Sequence, residues 1–419
     1  MANRISQFLL LVLVASITIF RPPVFRLYGF PVPLTDLLFC LAAGSFVIAI
    51  GRRELRFRTD RSFIYIAAFA ATIALAAGFS QDPSRSAVKL VGNLYLLTLA
   101  VFVFQHAVNG EFVRRLVIAW LVGLAITIVT VWVGIGLYAA GYNTYIENYF
   151  MFHPGTLPSE KIPRMIGLFA NPNMLCSYLA FTIPMVLAAM QMEWISRKVG
   201  VFLTAHSALL VALTFSPGIG GVVLSVGLWY FFANREWLVD WRRVALAGSI
   251  AVIAIGFFAV ATIAPDSANS DRDLRIPGTA FVIEPSVRVM TWESSLEVVA
   301  AHPVTGRGTG LPTARVPYRP IAGPPQMLTD AHQMWLSVWA QAGTIGLVAL
   351  CLLLVHLYRR TYFDRSGNGS LGPVHLALSC GFLGGFVYQG LTGSFEDARH
   401  IWAAVGMMIA VSNPTTSDG

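Results

Sequence analysis

The chain has 419 residues, of which 56% are hydrophobic and only 12% charged, and its mean hydropathy is +0.66. Apolar blocks of about 20 residues recur to its end, which is the composition of a polytopic membrane protein. The net charge of +8 is spread over short loops between those blocks, as a positive-inside bias produces, and no basic, aromatic-interleaved soluble face offers itself to a nucleic acid.

Hydropathy predicts an all-α protein with about twelve transmembrane helices. The spans fall near 5–20, 33–50, 62–79, 87–106, 115–139, 167–191, 199–215, 218–233, 244–264, 332–357, 372–392 and 399–412. The first block follows Arg4 as a signal peptide would, but it is succeeded by Arg21-Pro-Pro with no small-residue cleavage site, so it reads as a retained span. Cys40, Cys176, Cys351 and Cys380 all lie inside apolar blocks, where a thiol behaves as a small hydrophobe, and they indicate neither a disulfide framework nor a metal site.

Orientation follows from the loop charges. With the N-terminus inside, the inner loops hold most of the arginines, notably Arg52, Arg53, Arg56, Arg58 and Arg61, then Arg114, Arg115, Arg235, Arg359, Arg360 and Arg365. The outer side holds fewer, among them Arg21, Arg26, Arg85, Lys89, Lys161, Arg164 and Arg399. Both termini are therefore expected in the cytoplasm, and the long loop 265–331 outside. The expected organisation is 1–264 with nine spans, the loop 265–331, and 332–419 with three spans and a tail, all one membrane domain.

In that topology the polar features gather on the outer side: the loop 140–166, the turn Phe215-Ser-Pro-Gly-Ile-Gly-Gly221, the long loop, and Glu396-Asp-Ala-Arg-His400. A transporter is expected to carry charges or broken helices near the midplane, often in two corresponding halves. The span interiors are nearly free of charge and no internal repeat is evident, so interfacial chemistry is favoured over passage.

The stretch from Glu284 to Leu336 is the richest. Pro285 and Ser286 suit a helix start, and Val289, Trp292, Leu296 and Val299 recur at helical spacing, predicting a short amphipathic helix with Glu293 and Glu297 off its apolar stripe. Pro303 and Gly306 end it, and glycines at 308 and 310 punctuate the turn that follows. Arg288 opens the helix, where a guanidinium can fork onto phosphate oxygens; the plain alternative is a solvated or headgroup arginine. His332 opens the next span two residues after Asp330, where an imidazole can take a proton from a hydroxyl near neutral pH; the plain alternative is an interfacial cap.

Upstream, Arg164 precedes Asn171-Pro-Asn173 at the start of an apolar run, where amides need their hydrogen bonds met; a helix start set by Asn-Pro is the simple reading. The turn at Ser216 can present backbone N–H groups to an anion, although such a sequence is more often a tight helical hairpin. Trp292, Trp335, Trp339 and Trp402 suit an aromatic belt.

Taken in order, Arg164-x-x-Gly-x-Phe-x-Asn-Pro-Asn, Arg288-x-x-x-Trp with His-Pro-Val-x-Gly-x-Gly, and Ala-His332 followed by Ala342-Gly-Thr-Ile-Gly-Leu resemble the O-antigen ligase and polysaccharide polymerase family of bacterial inner-membrane proteins. The resemblance is best over residues 160–350. It implies a glycosyltransferase, metal-independent and without a cofactor, that passes a glycan from undecaprenyl diphosphate to a hydroxyl of an acceptor glycan or lipid A core with inversion. It further implies that Arg288 binds the diphosphate and that His332 is the base or orients the acceptor. Arg164, Asn171, Asn173, Arg307 and Asp330 become substrate-binding candidates, and membrane lipid and other polysaccharide assembly proteins are the remaining expected partners.

Two departures stand out. The family's Ser-Arg-Gly turn is here Ser216-Pro217-Gly218, which removes a charge-assisted phosphate contact of roughly 1.5–3 kcal/mol. Its His-Asn pair is here His332-Gln333. Arg164, Arg307 or Arg315 can substitute for the missing arginine, or activity is altered or lost. A glycan or small-anion transporter and a non-catalytic assembly protein stay open as alternatives.

Overall fold

The computed structural model describes residues 1–21, 23–27, 30–141, 151–153, 164–233, 241–263, 274–275, 282–283, 286–318, 326–362, 371–394 and 398–412. A helix lies at every position where hydropathy predicts a span: α1 (Ala2–Ala15), α2 (Leu34–Gly51), α3 (Ser62–Gly78), α4 (Pro83–His106), α5 (Gly110–Ala139), α6 (Pro172–Gln191), α7 (Arg197–Leu213), α8 (Ile219–Ala233), α9 (Trp241–Ile263), α11 (Met334–Tyr362), α12 (Gly372–Gly381) and α13 (Arg399–Val411). Between α9 and α11 lies α10 (Val287–Ala301). Among the described residues six helices are long and apolar enough to cross a membrane, namely α2, α4, α5, α6, α11 up to Arg360, and α12 with its continuation to Leu391. The chain is thus an all-α polytopic membrane protein. Its only strands among the described residues form four two-stranded antiparallel hairpins.

Helix starts move where capping chemistry moves them. α4 begins at Pro83 because Asp82 accepts the Arg85 N–H and proline sits at the first helical position; α5 begins after Asn109, which accepts from Phe112 N. The span expected from 167 begins only at Pro172, because Arg164–Gly167 pairs as a strand with Met151–His153 and Asn171 then caps α6 by accepting from Met174 N. Lys161, Arg235, Pro285, Arg365 and Glu396 lie outside the described residues.

Packing follows the rules of lipid rather than water. Helices associate through small residues that let backbones approach: Gly406 of α13 lies against Ala100 of α4, and Gly221 of α8 lies against Gly384. Outward positions stay apolar, with Ile64 70% and Val91 67% exposed, as a hydrocarbon-facing surface requires. Trp402 departs from the aromatic-belt expectation. It is buried beside Phe386 in the core, because its helix α13 packs on α4 and the α12 segment instead of lying at the rim.

Hydrogen bonds define two ends. At one, the N-terminal ammonium pairs with Glu54, Arg58 reaches the Phe104 carbonyl, and Arg360 pairs with Asp60. At the other, Phe20 donates to Leu168, Arg399 pairs with Asp36, Thr309 donates to Ile73, and Arg164 donates to Thr214. Among the described residues, the second end carries the turn at Ser216 and the candidate residues.

A broken helix and two polar clusters

α11 is not continuous. Gly343 has φ +65° and ψ −171°, far from helical, so the carbonyls before the break and the amides after it lose their helical partners. The loop after α10 supplies them: Arg307 N donates to Ala340 O at 2.8 Å, Gly308 N to Gln341 O at 3.1 Å, and Thr344 N to Pro303 O at 2.9 Å. Gly306 and Gly343 meet backbone to backbone, each at positive φ, and a Cβ on either has no room. The motifs His-Pro-Val-x-Gly-x-Gly and Ala-Gly-Thr-Ile-Gly therefore share one physical task, which is to splice the loop into the helix.

That splice positions the first cluster. The Thr291 hydroxyl bridges two carbonyls, Arg288 O at 2.8 Å and Ala331 O at 3.2 Å, so the first turn of α10 is held against the backbone next to His332. Ala331 N in turn donates to Thr313 Oγ1 at 2.9 Å. His332 Nδ1 lies 3.4 Å from Asp330 Oδ2, while Asp330 Oδ1 accepts from Ser394 Oγ at 2.9 Å.

His332 itself has φ +49°. Of the four described non-glycine residues at positive φ, Arg53 and Glu193 sit just past helix ends and close paired 6→1 and 5→2 hydrogen bonds, which is the Schellman termination, and Phe215 ends α7. His332 precedes a helix, so no such cap accounts for its left-handed backbone, which costs an L-residue about 1–2 kcal/mol. Strain of this kind is what binding and catalytic positions retain.

The buried face of α10 differs from the stripe predicted. Val287, Thr291, Ser295 and Val299 are buried, whereas Leu296 is 48% exposed and Trp292 stacks on Phe258 of α9. Half of that inner face is hydroxyl: Thr291 reaches the Ala331 carbonyl, and Ser295 turns back to Thr291 O. Glu293 and Glu297 are exposed as expected.

Arg307 shows a second electrostatic feature. Burial, and after it the positive charge of Arg315, pulls its guanidinium below its ordinary pKa, and Nη1 lies 3.4 Å from Pro312 O. Arg315 is anchored on α10 through its backbone N–H to Ser294 Oγ. The two guanidiniums thus share one locality beside α10.

The second cluster gathers Arg164, Asn173 and Ser216. Arg164 Nε donates to Thr214 O at 2.9 Å and Nη2 to Asn173 Oδ1 at 3.3 Å; Ser216 Oγ donates to the same Oδ1 at 2.6 Å. Asn171 uses its side-chain oxygen as the α6 cap, so it and Asn173 take different roles. In the turn, Gly218 N bonds Ser216 Oγ, Ile219 N bonds Ser216 O, Gly220 N bonds Pro217 O and Gly221 N bonds Gly218 O. These N–H groups are committed to the hairpin, so the turn is a helical connection and not an anion nest.

The segment 389–394 joins the clusters. Gln389 Nε2 donates to Gly218 O, Gly390 packs on Met334, and Ser394 reaches Asp330. The five steps from 389 to 394 span at most about 17 Å, which bounds the separation of the two ends of this link. Sequence reasoning missed Thr291, Ser394 and the cationic pair Arg85 and Lys89, which line a polar cavity of about 220 Å³ together with Asp330.

No curated protein matches the chain. Residues 199–351 match the family model described as O-antigen ligase, a stretch that runs from α7 into α11 and contains Arg288, Arg307, Asp330 and His332. The matched stretch is under half of the chain and holds the first cluster, and over it the chain is similar to the O-antigen ligase family.

Proposed function

We propose that the protein is a metal-independent, inverting glycosyltransferase that transfers a glycan from undecaprenyl diphosphate to an acceptor sugar at the periplasmic face of the inner membrane. The observation that carries this reading is the Thr291 bridge, which ties the turn bearing Arg288 to the backbone bearing His332 within the family-matched stretch. In the proposed step an acceptor hydroxyl gives its proton to His332 as its oxygen attacks the anomeric carbon. The bond from that carbon to the diphosphate oxygen breaks on the opposite face, and the lipid diphosphate leaves with its charge met by Arg288, supported by Arg307. Asp330 beside Nδ1 favours the tautomer that carries its proton there, leaving Nε2 to face the acceptor.

Arg164 is the proposed supplement to this anionic site, in a chain where Pro217 stands in place of the arginine that the resemblance implies. Twelve spans with both termini in the cytoplasm accord with the end-to-end charge contrast, with Arg52, Arg53, Arg56, Arg58 and Arg61 opposite the candidate residues. The reading keeps one membrane domain: 1–264, the periplasmic loop 265–331, and 332–419. A transport reading would draw on the break in α11, but its carbonyls at 340 and 341 accept from the loop 307–308, which gives the break a structural use.

The test is a deletion strain complemented with wild type, His332→Ala or Arg288→Ala, with membrane abundance measured alongside the surface glycan profile. Loss of long chains with single repeats retained identifies a polymerase. Polymer accumulating on the lipid diphosphate identifies a ligase, and an unchanged profile in both variants removes the glycan-joining reading.

A further inference from the structure

The polar cavity on the α4 side of Asp330 has no part in the step above. Arg85 and Lys89 stand one helical turn apart and line it together with Thr313, Asp330, Gln341 and Ser394. Its wall is built, not incidental. Loop residue Gly310, at φ +79°, lies so close to the Lys89 stem that a Cβ there would sit 2.7 Å from Lys89 Cβ. Gly310 O accepts from Arg85 Nε at 2.8 Å, Gly310 N donates to Gln341 Oε1 at 2.7 Å, and the neighbouring Thr309 O accepts from Ser86 Oγ at 2.6 Å. The loop is thereby pinned between α4 and α11, and Gln341 is held in place by its bond to Ser337.

We infer that this cavity is the subsite for an anionic sugar residue of the acceptor, a uronate or a phosphosugar. Two cations and one carboxylate line it, and that carboxylate already takes the Ser394 hydroxyl on one oxygen and faces His332 on the other. Among the described lining residues the cations outnumber the carboxylate, and hydroxyl and amide groups surround them, which is the chemistry of a charged sugar. At about 220 Å³ the space is below the roughly 300 Å³ at which pockets for drug-sized ligands begin, so it takes one sugar ring and not an oligosaccharide. Asp330, whose Oδ2 lies 3.4 Å from His332 Nδ1, forms part of its wall and links the cavity to the first cluster. The inference rests on the glycan-joining reading, and it identifies which partner enters from which side.

The test uses the full-length protein in detergent with glucuronate, glucose 6-phosphate and glucose as probes, read by saturation-transfer NMR. Wild type is expected to bind at least one anionic sugar in preference to glucose. Lys89→Met, which keeps the stem that packs on Gly310, and Arg85→Gln are each expected to weaken that binding at least about ten-fold, the effect of one charge-assisted hydrogen bond. Glucuronate-only binding identifies a uronate and glucose 6-phosphate-only binding a phosphosugar. Equal binding of glucose, no binding, or binding unchanged in Lys89→Met overturns the inference. In cells, His332→Ala losing polymer while the binding experiment fails overturns the subsite and leaves the glycan-joining reading in place. His332→Ala retaining polymer removes that reading and the acceptor subsite with it.

Discussion

Two networks at opposite ends of the molecule use the same kinds of group. At the end holding the N-terminus, Arg360 Nη1 lies 2.7 Å from Asp60 Oδ1, Ser62 N donates to the same oxygen at 2.8 Å, and His356 bonds Ser62 Oγ at 3.0 Å. At the other end, His332 stands 3.4 Å from Asp330, which takes the Ser394 hydroxyl. The Arg360 and Asp60 side chains are 14% and 6% exposed, while those of His332 and Asp330 are 40% and 45% exposed. A carboxylate, a base and a hydroxyl are present in both. What separates them is closure: the first network is short and buried, and the second is long, strained at His332 and open to a cavity. Burial marks a strut, and an exposed, strained network marks a candidate site.

The largest expected effect lies in the open network. His332→Ala is expected to lower glycan transfer by about 10²–10⁴-fold as the loss of a general base, and Arg288→Ala by about 10²–10³-fold as the loss of a charge-stabilising donor, both at normal membrane abundance. Asp60→Ala inverts the pattern. Breaking a buried pair leaves Arg360 uncompensated and costs about 3–5 kcal/mol, so thermal midpoint and abundance fall while transfer per folded molecule is retained. Asp330→Ala is expected to reduce transfer with the midpoint unmoved. A midpoint that fell as far in Asp330→Ala as in Asp60→Ala would erase the distinction between strut and site.

Gly343→Ala should blur the comparison on purpose, because it damages fold and site together. The new methyl meets the Val304 carbonyl at a backbone angle that alone costs about 1–2 kcal/mol, so the loop is pushed out of the break and the Arg288–His332 juxtaposition goes with it. Reduced thermal midpoint and reduced transfer are both expected. Loss of stability with full transfer would mean that the splice does not position the site.

The sequence makes the helices legible because lipid imposes a length and a hydropathy on every span, and it makes His332 and Asp330 legible because two titratable residues stand at the door of an apolar run. Side-chain bookkeeping between distant segments leaves no such trace. Arg85 meets Gly310 across 225 residues, and Ser394 meets Asp330 across 64, so the polar cavity has no local pattern. The break at Gly343 hides inside a hydrophobic run because its orphaned groups are met by a remote loop. α10 misleads for a related reason: an apolar stripe at helical spacing predicts the buried face only when the facing surface is apolar, and here it is the hydroxyl side that is buried, with Thr291 reaching the Ala331 carbonyl and Ser295 turning back to Thr291 O.

The smallest expected effect isolates strain from chemistry. His332→Gly and His332→Ala both remove the imidazole and with it the contact to Asp330, so both lose transfer. They differ only in how they tolerate φ +49°. Glycine occupies the left-handed region freely, alanine at a cost of about 1–2 kcal/mol, and the greater unfolded-state freedom of glycine returns about 0.4–1 kcal/mol of that difference. The glycine variant is therefore expected to be the more stable by about 1 kcal/mol, read as a higher thermal midpoint in detergent. The same pair of substitutions at Asp60, where no positive φ exists, should reverse the order and favour alanine. If His332→Ala equals or exceeds His332→Gly, the backbone at the doorway is relaxed, and the open network differs from the closed one in exposure alone.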